Sequence, residues 1–203
     1  MRRLLGAVGV AVLLVPASVW AGELAGRVSL GVEGTRLADL GPVVVFLEPE
    51  VEVSLPPVSP SNPRIRQRKA RFDPPFLVIT AGQKVDMPND DTIFHNVFSF
   101  SRPNDFDLGV YPSGDSRTVA FEHAGLVKLY CSIHESMSGA VLVSPSPWFA
   151  TASRAGEYRI TGVPAGQYRL TVWNEKLPAA TRSVAVRAQG RQRTDVTLGV
   201  TLP

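Results

Sequence analysis

The chain has 203 residues, a formal net charge of +3, 17 glycines, 17 prolines, three histidines and a single cysteine. This many turn-forming residues exclude a helical bundle or a long coiled coil, and one cysteine excludes an internal disulfide or a four-cysteine metal site. Near-balanced charge argues against a dedicated nucleic-acid-binding protein, and 44% hydrophobic against 19% charged residues exclude a disordered chain.

The start of the chain has the pattern of an export signal. Arg2 and Arg3 form a basic start, Leu4 to Val15 is an apolar run, and Ala21 suits the position just before a cleavage site. The run is shorter than the roughly 20 apolar residues that a membrane span needs, although an uncleaved anchor is the alternative. We therefore predict a signal peptide over residues 1–21, a periplasmic protein, and no transmembrane segment after cleavage.

Residues 22–55 contain two strand patterns. Apolar and polar residues alternate from Leu24 to Leu30, which predicts a half-buried strand. Val43 to Leu47 is a continuous apolar run, which is typical of a central strand buried on both faces. Four prolines then fall within residues 56–63, so this segment is predicted to be a proline- and serine-rich linker.

A basic stretch follows the linker and comprises Arg64, Arg66, Arg68, Lys69 and Arg71. One interpretation is an exposed edge strand whose charges prevent pairing with another chain. The other is a docking patch for an acidic redox partner, since clustered charge of one sign steers and orients association. The sequence leaves both interpretations open.

Period-two alternation continues through the rest of the chain, with turn residues between the segments. Strands are predicted at 76–79, 84–87, 93–100, 118–121, 126–131 and 140–143, and after two further prolines at 157–160, 167–173, 183–186 and 196–202. No helix is predicted. The short strands and frequent turns favour an all-β chain built of β-sandwiches.

Cys131, His134 and Met137 lie three residues apart, which places a thiol, an imidazole and a thioether on one short loop. His95 lies on a separate predicted strand, and we expect it to complete the set from across the sandwich. Alternation puts Cys131 on the core face of its strand. Two imidazoles, a thiolate and a weak methionine sulfur are blue-copper ligands. The combination predicts one copper ion, cycling between Cu(I) and Cu(II), although each residue alone is more often structural.

These segments resemble the type 1 blue-copper family of plastocyanin- and amicyanin-like cupredoxins. Phe94 to Val97 resembles the strand that carries the first copper ligand, and Ala124 to Met137 resembles the strand and loop with the other ligands. The Cys-x₂-His-x₂-Met spacing is similar to the short loop of amicyanin. Ala124-Gly125 stands where the family commonly has Pro-Gly, a departure that affects the rigidity of the turn.

The resemblance implies a cupredoxin Greek-key β-sandwich over residues 64–145, and it assigns a role to each polar residue of the site. The copper ligands are His95, Cys131, His134 and Met137. Asn96, beside the first histidine, ties the two ligand loops together by hydrogen bonds. The third histidine, His123, lies at the far end of the cysteine strand and is predicted to be a surface or structural residue.

The flanking segments resemble a carboxypeptidase regulatory-like, or transthyretin-like, β-sandwich. The similar segments are Gly26 to Val28, Val43 to Val45 and Tyr158 to Leu170. We predict that residues 22–55 and 147–203 pair into one small sandwich, with the cupredoxin segment inserted between them. The order of these segments along the chain resembles that of exported proteins of the methylamine-utilization or plastocyanin-like type.

The leading functional hypothesis is a periplasmic one-electron carrier that exchanges electrons with a redox protein such as a c-type cytochrome. The first alternative is a copper-binding or delivery protein. The second is a cell-envelope binding module whose metal, copper or zinc, is structural. An enzyme is not predicted, because a type 1 site lacks an open position for substrate. Nucleic acid is not an expected partner, and no oligomeric state is predicted.

Overall fold

The structure is a computed structural model that describes residues 21–57 and 59–199. The predicted leader up to residue 20 and the end of the last predicted strand, at 200–202, lie outside the described residues. The described secondary structure is β throughout, apart from one 3₁₀ turn at Leu37–Asp39, so the predicted all-β class is confirmed. In the same part of the chain, no helix is long and apolar enough to cross a membrane.

Seventeen strands follow one another within the described residues. Two precede the proline-rich segment, namely β1 (Ala21–Leu30) and β2 (Val43–Pro49). The next nine are β3 (Arg66–Gln67), β4 (Phe72–Asp73), β5 (Phe76–Thr80), β6 (Gln83–Pro88), β7 (His95–Ser99), β8 (Phe106–Tyr111), β9 (Ser116–Phe121), β10 (Gly125–Tyr130) and β11 (Ser138–Ser144). The last six are β12 (Phe149–Thr151), β13 (Glu157–Pro164), β14 (Gly166–Asn174), β15 (Leu177–Val186), β16 (Arg191–Arg193) and β17 (Val196–Leu198).

Two four-stranded sheets enclose the first core. One has the order β13-β1-β16, with β17 also paired to β1, and the other has the order β12-β2-β14-β15. The core takes side chains from both ends of the chain, and Val45, Leu47 and Leu170 in it are fully buried. Strand β2 is central in its sheet, which explains its continuous apolar run. Strand β1 pairs with β13 and β2 pairs with β14, so each of the two sheets combines strands from both ends of the chain.

The second core lies within residues 65–143. Its largest sheet has five strands in the order β5-β11-β10-β7-β8, while β6 pairs with β9 and β3 pairs with β4. Alternate side chains of β6 and β10 point inward, so that Val85, Met87, Val127 and Leu129 are all at most 1% exposed. Apolar residues at every second position of these strands therefore form this core.

Several strands differ from the predictions. Strands β4, β8, β12 and β16 were not expected, and β15 runs over Leu177–Val186 where only 183–186 was predicted. In β8 the alternation is interrupted by Gly109 and by Val110, which is 57% exposed. Most side chains of β15, an edge strand, are also exposed or half-buried. Strands of this kind are defined by their backbone hydrogen bonds to a neighbouring strand. They lack the alternation of apolar and polar residues by which a strand is recognised in a sequence.

Side-chain contacts join the two cores. The ring of Phe76 on β5 stacks on Trp173 on β14, with centroids 6.1 Å apart and planes 8° from parallel. Lys128 on β10 forms an ion pair with Glu175, which directly follows β14. An aromatic pair adds about 0.5–1.5 kcal/mol beyond the area it buries. The two sheets around the first core, called the first sandwich below, are therefore held against the five-stranded sheet, which carries the candidate site.

The packing of β1 gives a test of the first core. An added Cβ at Gly26 would lie 1.8 Å from the carbonyl oxygen of Thr194, whose own amide donates to Ala25. Because a backbone atom is in the way, we expect Gly26→Ala to lower the free energy of unfolding by at least about 3 kcal/mol. Urea denaturation followed by tryptophan fluorescence measures this loss.

Gly34→Ala is the matched control for this substitution. Nothing lies within 4 Å of an added Cβ at Gly34, and the cost there comes only from a φ of +73°. That cost is about 1 kcal/mol. Equal losses of stability in the two variants would contradict the close approach of β1 to Thr194.

Candidate metal centre

His95 opens β7, which lies between β8 and β10 in the five-stranded sheet, and its side chain is fully buried. The expectation that His95 reaches the site from across the sandwich is wrong. It comes from the strand next to the cysteine strand, because Tyr130 of β10 pairs with Phe98 of β7 in antiparallel register. The end of β10 and the start of β7 consequently lie side by side at one edge of the sheet.

Cys131 directly follows β10 and is only 5% exposed. Val127 and Leu129 are buried on the same face, whereas Tyr130 is exposed, so the predicted orientation of the cysteine is confirmed. Strand pleating thus places the thiol at the edge of the second core.

His134 and Met137 lie on the loop between β10 and β11. The Met137 amide donates to the His134 carbonyl oxygen at 2.9 Å, which closes a tight turn. This turn returns Met137 to the second core, where its side chain is 1% exposed and belongs to the same apolar cluster as Cys131. His134 is half-buried and is the most accessible of the four predicted ligands.

Three donor atoms converge at this edge of the sheet. Cys131 Sγ lies 3.7 Å from His134 Nδ1 and 4.0 Å from His95 Nδ1, and the three residues' donor atoms all lie within 4.8 Å of one another. Atoms bound about 2.0–2.3 Å from one ion have separations of this size. One thiolate and two imidazoles suit copper or zinc, so the residues present fit a transition-metal ion.

A carboxylate behind His95 fixes which ring nitrogen is free for a metal. His95 Nε2 lies 2.8 Å from Asp91 Oδ2, and the Asp91 side chain is 17% exposed. With the proton on Nε2, the ring donates to this carboxylate and leaves the Nδ1 lone pair facing Cys131. Partners of this kind set the tautomer, the ring orientation and the basicity of ligating histidines.

Asp91 also holds a neighbouring turn. Its carboxylate accepts the backbone amides of Lys69 at 2.6 Å and Ala70 at 2.8 Å. Burial is the largest single influence on the pKa of Asp91 and raises it, but hydrogen bonds from the Ala70 amide, His95 and the Lys69 amide together outweigh burial. The pKa of Asp91 therefore lies below its usual value, and the carboxylate stays ionised.

The sequence interpretation missed Asp91. The residue lies in the segment Asn89-Asp90-Asp91, which reads as an ordinary polar turn. The turn is in fact shaped by the fully buried Asn89, whose Oδ1 accepts the Asp91 amide at 3.1 Å and whose Nδ2 donates to the Ile93 carbonyl. An acidic residue in a turn just before a ligand histidine was the available signal.

Asn96 makes two side-chain hydrogen bonds beside the candidate site. Its Oδ1 accepts the amide of Ser132, the residue after Cys131, at 3.3 Å, and its Nδ2 donates to Asp107 Oδ1 at 2.7 Å. One side chain thereby joins β7, β8 and the cysteine loop. His123 lies outside the cluster: it is exposed, and its backbone exchanges two hydrogen bonds with the Asn104 side chain.

Comparison with known families finds one local similarity. The family described as polysaccharide lyase family 4, domain II, matches residues 148–194, which is less than half of the chain. The match falls within residues 147–203, the segment predicted to be the second part of the regulatory-like sandwich. A comparison with curated proteins finds no match.

Among solved structures, the chain is similar to cupredoxins. A purple cupredoxin from Nitrosopumilus maritimus is 28% identical over 41% of this chain and 100% of its own, with a TM-score of 0.38. A reduced amicyanin variant is 21% identical over 43% of this chain and 86% of its own, with a TM-score of 0.40. The copper-containing nitrite reductase of Thermus scotoductus SA-01 is 20% identical, covering 59% of this chain but 28% of its own, with a TM-score of 0.41.

Asp91→Asn tests the support behind His95. An amide is a weaker acceptor than a carboxylate and carries no charge, so the substitution loosens both the ring and the turn. We expect affinity for Cu(II) to fall by about 10- to 100-fold, the usual cost of removing such a partner. Competition with a chelator of known affinity measures the change.

Asp90→Asn is the matched control, since its carboxylate pairs with Arg66 and makes no contact with His95 among the described residues. Its Cu(II) affinity should remain within about twofold of the wild type, because exposed ion pairs contribute little. If Asp91→Asn also binds Cu(II) as tightly as the wild type, the supporting role of Asp91 is wrong.

Proposed function

We propose that this protein is a periplasmic type 1 copper protein that carries single electrons. The observation that carries the proposal is the convergence of His95 Nδ1, Cys131 Sγ and His134 Nδ1 within 4.8 Å. Met137, buried in the same cluster, is the proposed weak fourth ligand. Two imidazoles, a thiolate and a thioether form the donor set of blue-copper electron-transfer sites.

The chain's own residues keep this donor set in place. Copper bound here would supply the Cu(II)/Cu(I) couple. His95 is fixed by Asp91, and Cys131 is fixed by burial and by the hydrogen bond between Asn96 and the next amide. Ligands whose positions are locked by packing and by surrounding hydrogen bonds form a preorganised site. Such a site suits electron transfer, in which the ligands move little.

Differences in exposure favour retention of the metal and indicate where electrons pass. His95, Cys131 and Met137 are at most 5% exposed, so an acceptor protein has poor access to them. This burial favours a carrier over a copper-delivery protein. His134 is half-buried, and the neighbouring Ile133 is 46% exposed. We assign this loop as the surface through which a redox protein, such as a c-type cytochrome, exchanges electrons.

The proposal extends to the arrangement of the chain. Residues 64–145 form the copper-binding sandwich, inserted into a regulatory-like sandwich made of residues 22–55 and 147–203. This arrangement is supported by the pairing of β1 with β13 and of β2 with β14. The regulatory-like sandwich has an indirect role, since it positions the copper-binding sandwich through the stack of Phe76 on Trp173.

Titration with Cu(II) tests the function. We expect one ion per chain and an intense visible thiolate-to-copper band, because Cys131 is the thiol of the site. Cys131→Ala should lose the band completely. His123→Ala is the control and should keep it, since this exposed histidine lies outside the donor cluster. A folded wild-type protein that binds copper yet stays colourless would contradict the type 1 assignment.

Met137→Gln tests the role of the thioether. An axial thioether is a long, weak ligand, so the variant should bind copper and keep a thiolate band. Its reduction potential should fall, because an oxygen donor favours Cu(II) over Cu(I). Protein-film voltammetry measures the potential. Loss of copper binding in Met137→Gln would show that Met137 is a primary ligand or an essential packing residue.

A further inference from the structure

The turn between β3 and β4, residues 68–71, presents three exposed cations and is called the basic turn below. Arg68, Lys69 and Arg71 are all exposed, and within residues 21–57 and 59–199 none of them forms an ion pair. Arg66, just before the turn, is by contrast paired with Asp90. The positive charge of the turn is therefore available to a partner.

The backbone of the basic turn is unusual and firmly held. Arg68 and Arg71 exchange two backbone hydrogen bonds, of 2.9 and 3.1 Å, so the turn has only two central residues. These are Lys69 and Ala70, with φ of 53° and 51°, a left-handed conformation that normally selects asparagine and glycine. The Asp91 carboxylate accepts both central amides and compensates for this strain. Strained backbone supported in this way is found mostly at functional sites.

The same carboxylate connects the basic turn to the candidate metal centre. Asp91 Oδ2 accepts the Ala70 amide at 2.8 Å and the His95 ring at 2.8 Å, so one oxygen atom lies between the turn and the proposed ligand. The loop that runs from Cys131 to Met137 is called the ligand loop below. A cleft next to the turn is lined by residues 68–73, by Ser136 and Met137 of the ligand loop, and by Ser138 at the start of β11. A partner seated on the turn would therefore contact the ligand loop as well.

Acidic groups near the cleft do not neutralise the turn. Asp73 lines the cleft, and Glu135 is exposed on the ligand loop, but neither pairs with the three cations among the described residues. Asp90 is paired elsewhere, and Asp91 is engaged with backbone amides and His95. A rigid surface with excess positive charge beside a redox site is complementary to clustered carboxylates.

We infer that the basic turn is the docking surface for a carboxylate-rich redox protein that exchanges electrons with the site, an inference that rests on the proposed function. The turn is preorganised, so docking loses little conformational entropy. Long-range attraction by its three charges steers the partner to the side of the molecule where the ligand loop is exposed. The basic residues are thus more than a protected strand edge, since they mark the face used for electron exchange.

Poly-L-glutamate binding tests the docking surface in any metal state. The triple variant Arg68→Gln, Lys69→Gln and Arg71→Gln removes the charge of the turn. The matched control, Arg154→Gln, Lys176→Gln and Arg187→Gln, removes three exposed charges from the first sandwich. We expect the wild type and the control to bind poly-L-glutamate, and the basic-turn variant to bind at least about 10-fold more weakly.

Stopped-flow oxidation tests whether this surface serves electron exchange. In this reaction the copper-loaded, reduced protein gives one electron to hexacyanoferrate(III), which becomes hexacyanoferrate(II), and no proton is transferred. At low ionic strength the basic-turn variant should react about 10-fold more slowly than the wild type. The difference should disappear in high salt. With the cationic oxidant tris(phenanthroline)cobalt(III), the basic-turn variant should react no more slowly than the wild type. The reduction potentials of the two proteins are measured as well, and equal values exclude a difference in driving force.

Each outcome decides the inference. Equal poly-L-glutamate binding by the two triple variants, or equal hexacyanoferrate(III) rates with copper in place, overturns the docking surface and leaves the copper site intact. Preferential binding to vesicles of anionic phospholipid, lost in the basic-turn variant, overturns it in favour of a membrane. A wild type that forms no redox-active copper site overturns the proposed function, and with it a role in electron exchange, even if poly-L-glutamate binds.

Discussion

The Asp91 carboxylate is the interaction on which the rest of the site depends. It orients His95 through Nε2, and it holds the left-handed Lys69-Ala70 turn through two backbone amides. Neither neighbour is stable alone in its observed state: a buried imidazole needs a hydrogen-bond partner, and a non-glycine residue at positive φ needs compensation. One ionised group satisfies both needs, and it couples the inner donor cluster to the charged surface above it.

The donor cluster is also a product of the sheet. Antiparallel pairing of β10 with β7 sets Cys131 beside His95, and the short loop to β11 returns Met137 to the same core. Cys131 and Met137 are consequently part of the packing of the second core, and His95 is fully buried. His134 is half-buried, so under the proposed function it faces a redox partner while the buried residues hold the metal.

Much of this arrangement could be predicted from the sequence, because it is encoded locally. The all-β class follows from period-two alternation, and the spacing of Cys131, His134 and Met137 shows directly that one loop carries a thiol, an imidazole and a thioether. The placement of His95 across the sandwich was wrong, because alternation gives the face of a residue but not the neighbour of its strand. Asp91 was missed for a related reason: its partners, the 69–70 amides and His95, meet only in the folded chain.

X-ray absorption at the copper K-edge of the copper-loaded protein distinguishes this donor set from any other, since it measures the atoms bound to the metal. We expect two nitrogen donors and one short sulfur bond in the oxidised protein, and nearly the same distances after reduction. A donor shell without sulfur would contradict it. Loss of a nitrogen donor on reduction would also contradict it, because the positions of His95 and Cys131 are fixed by the fold in both states.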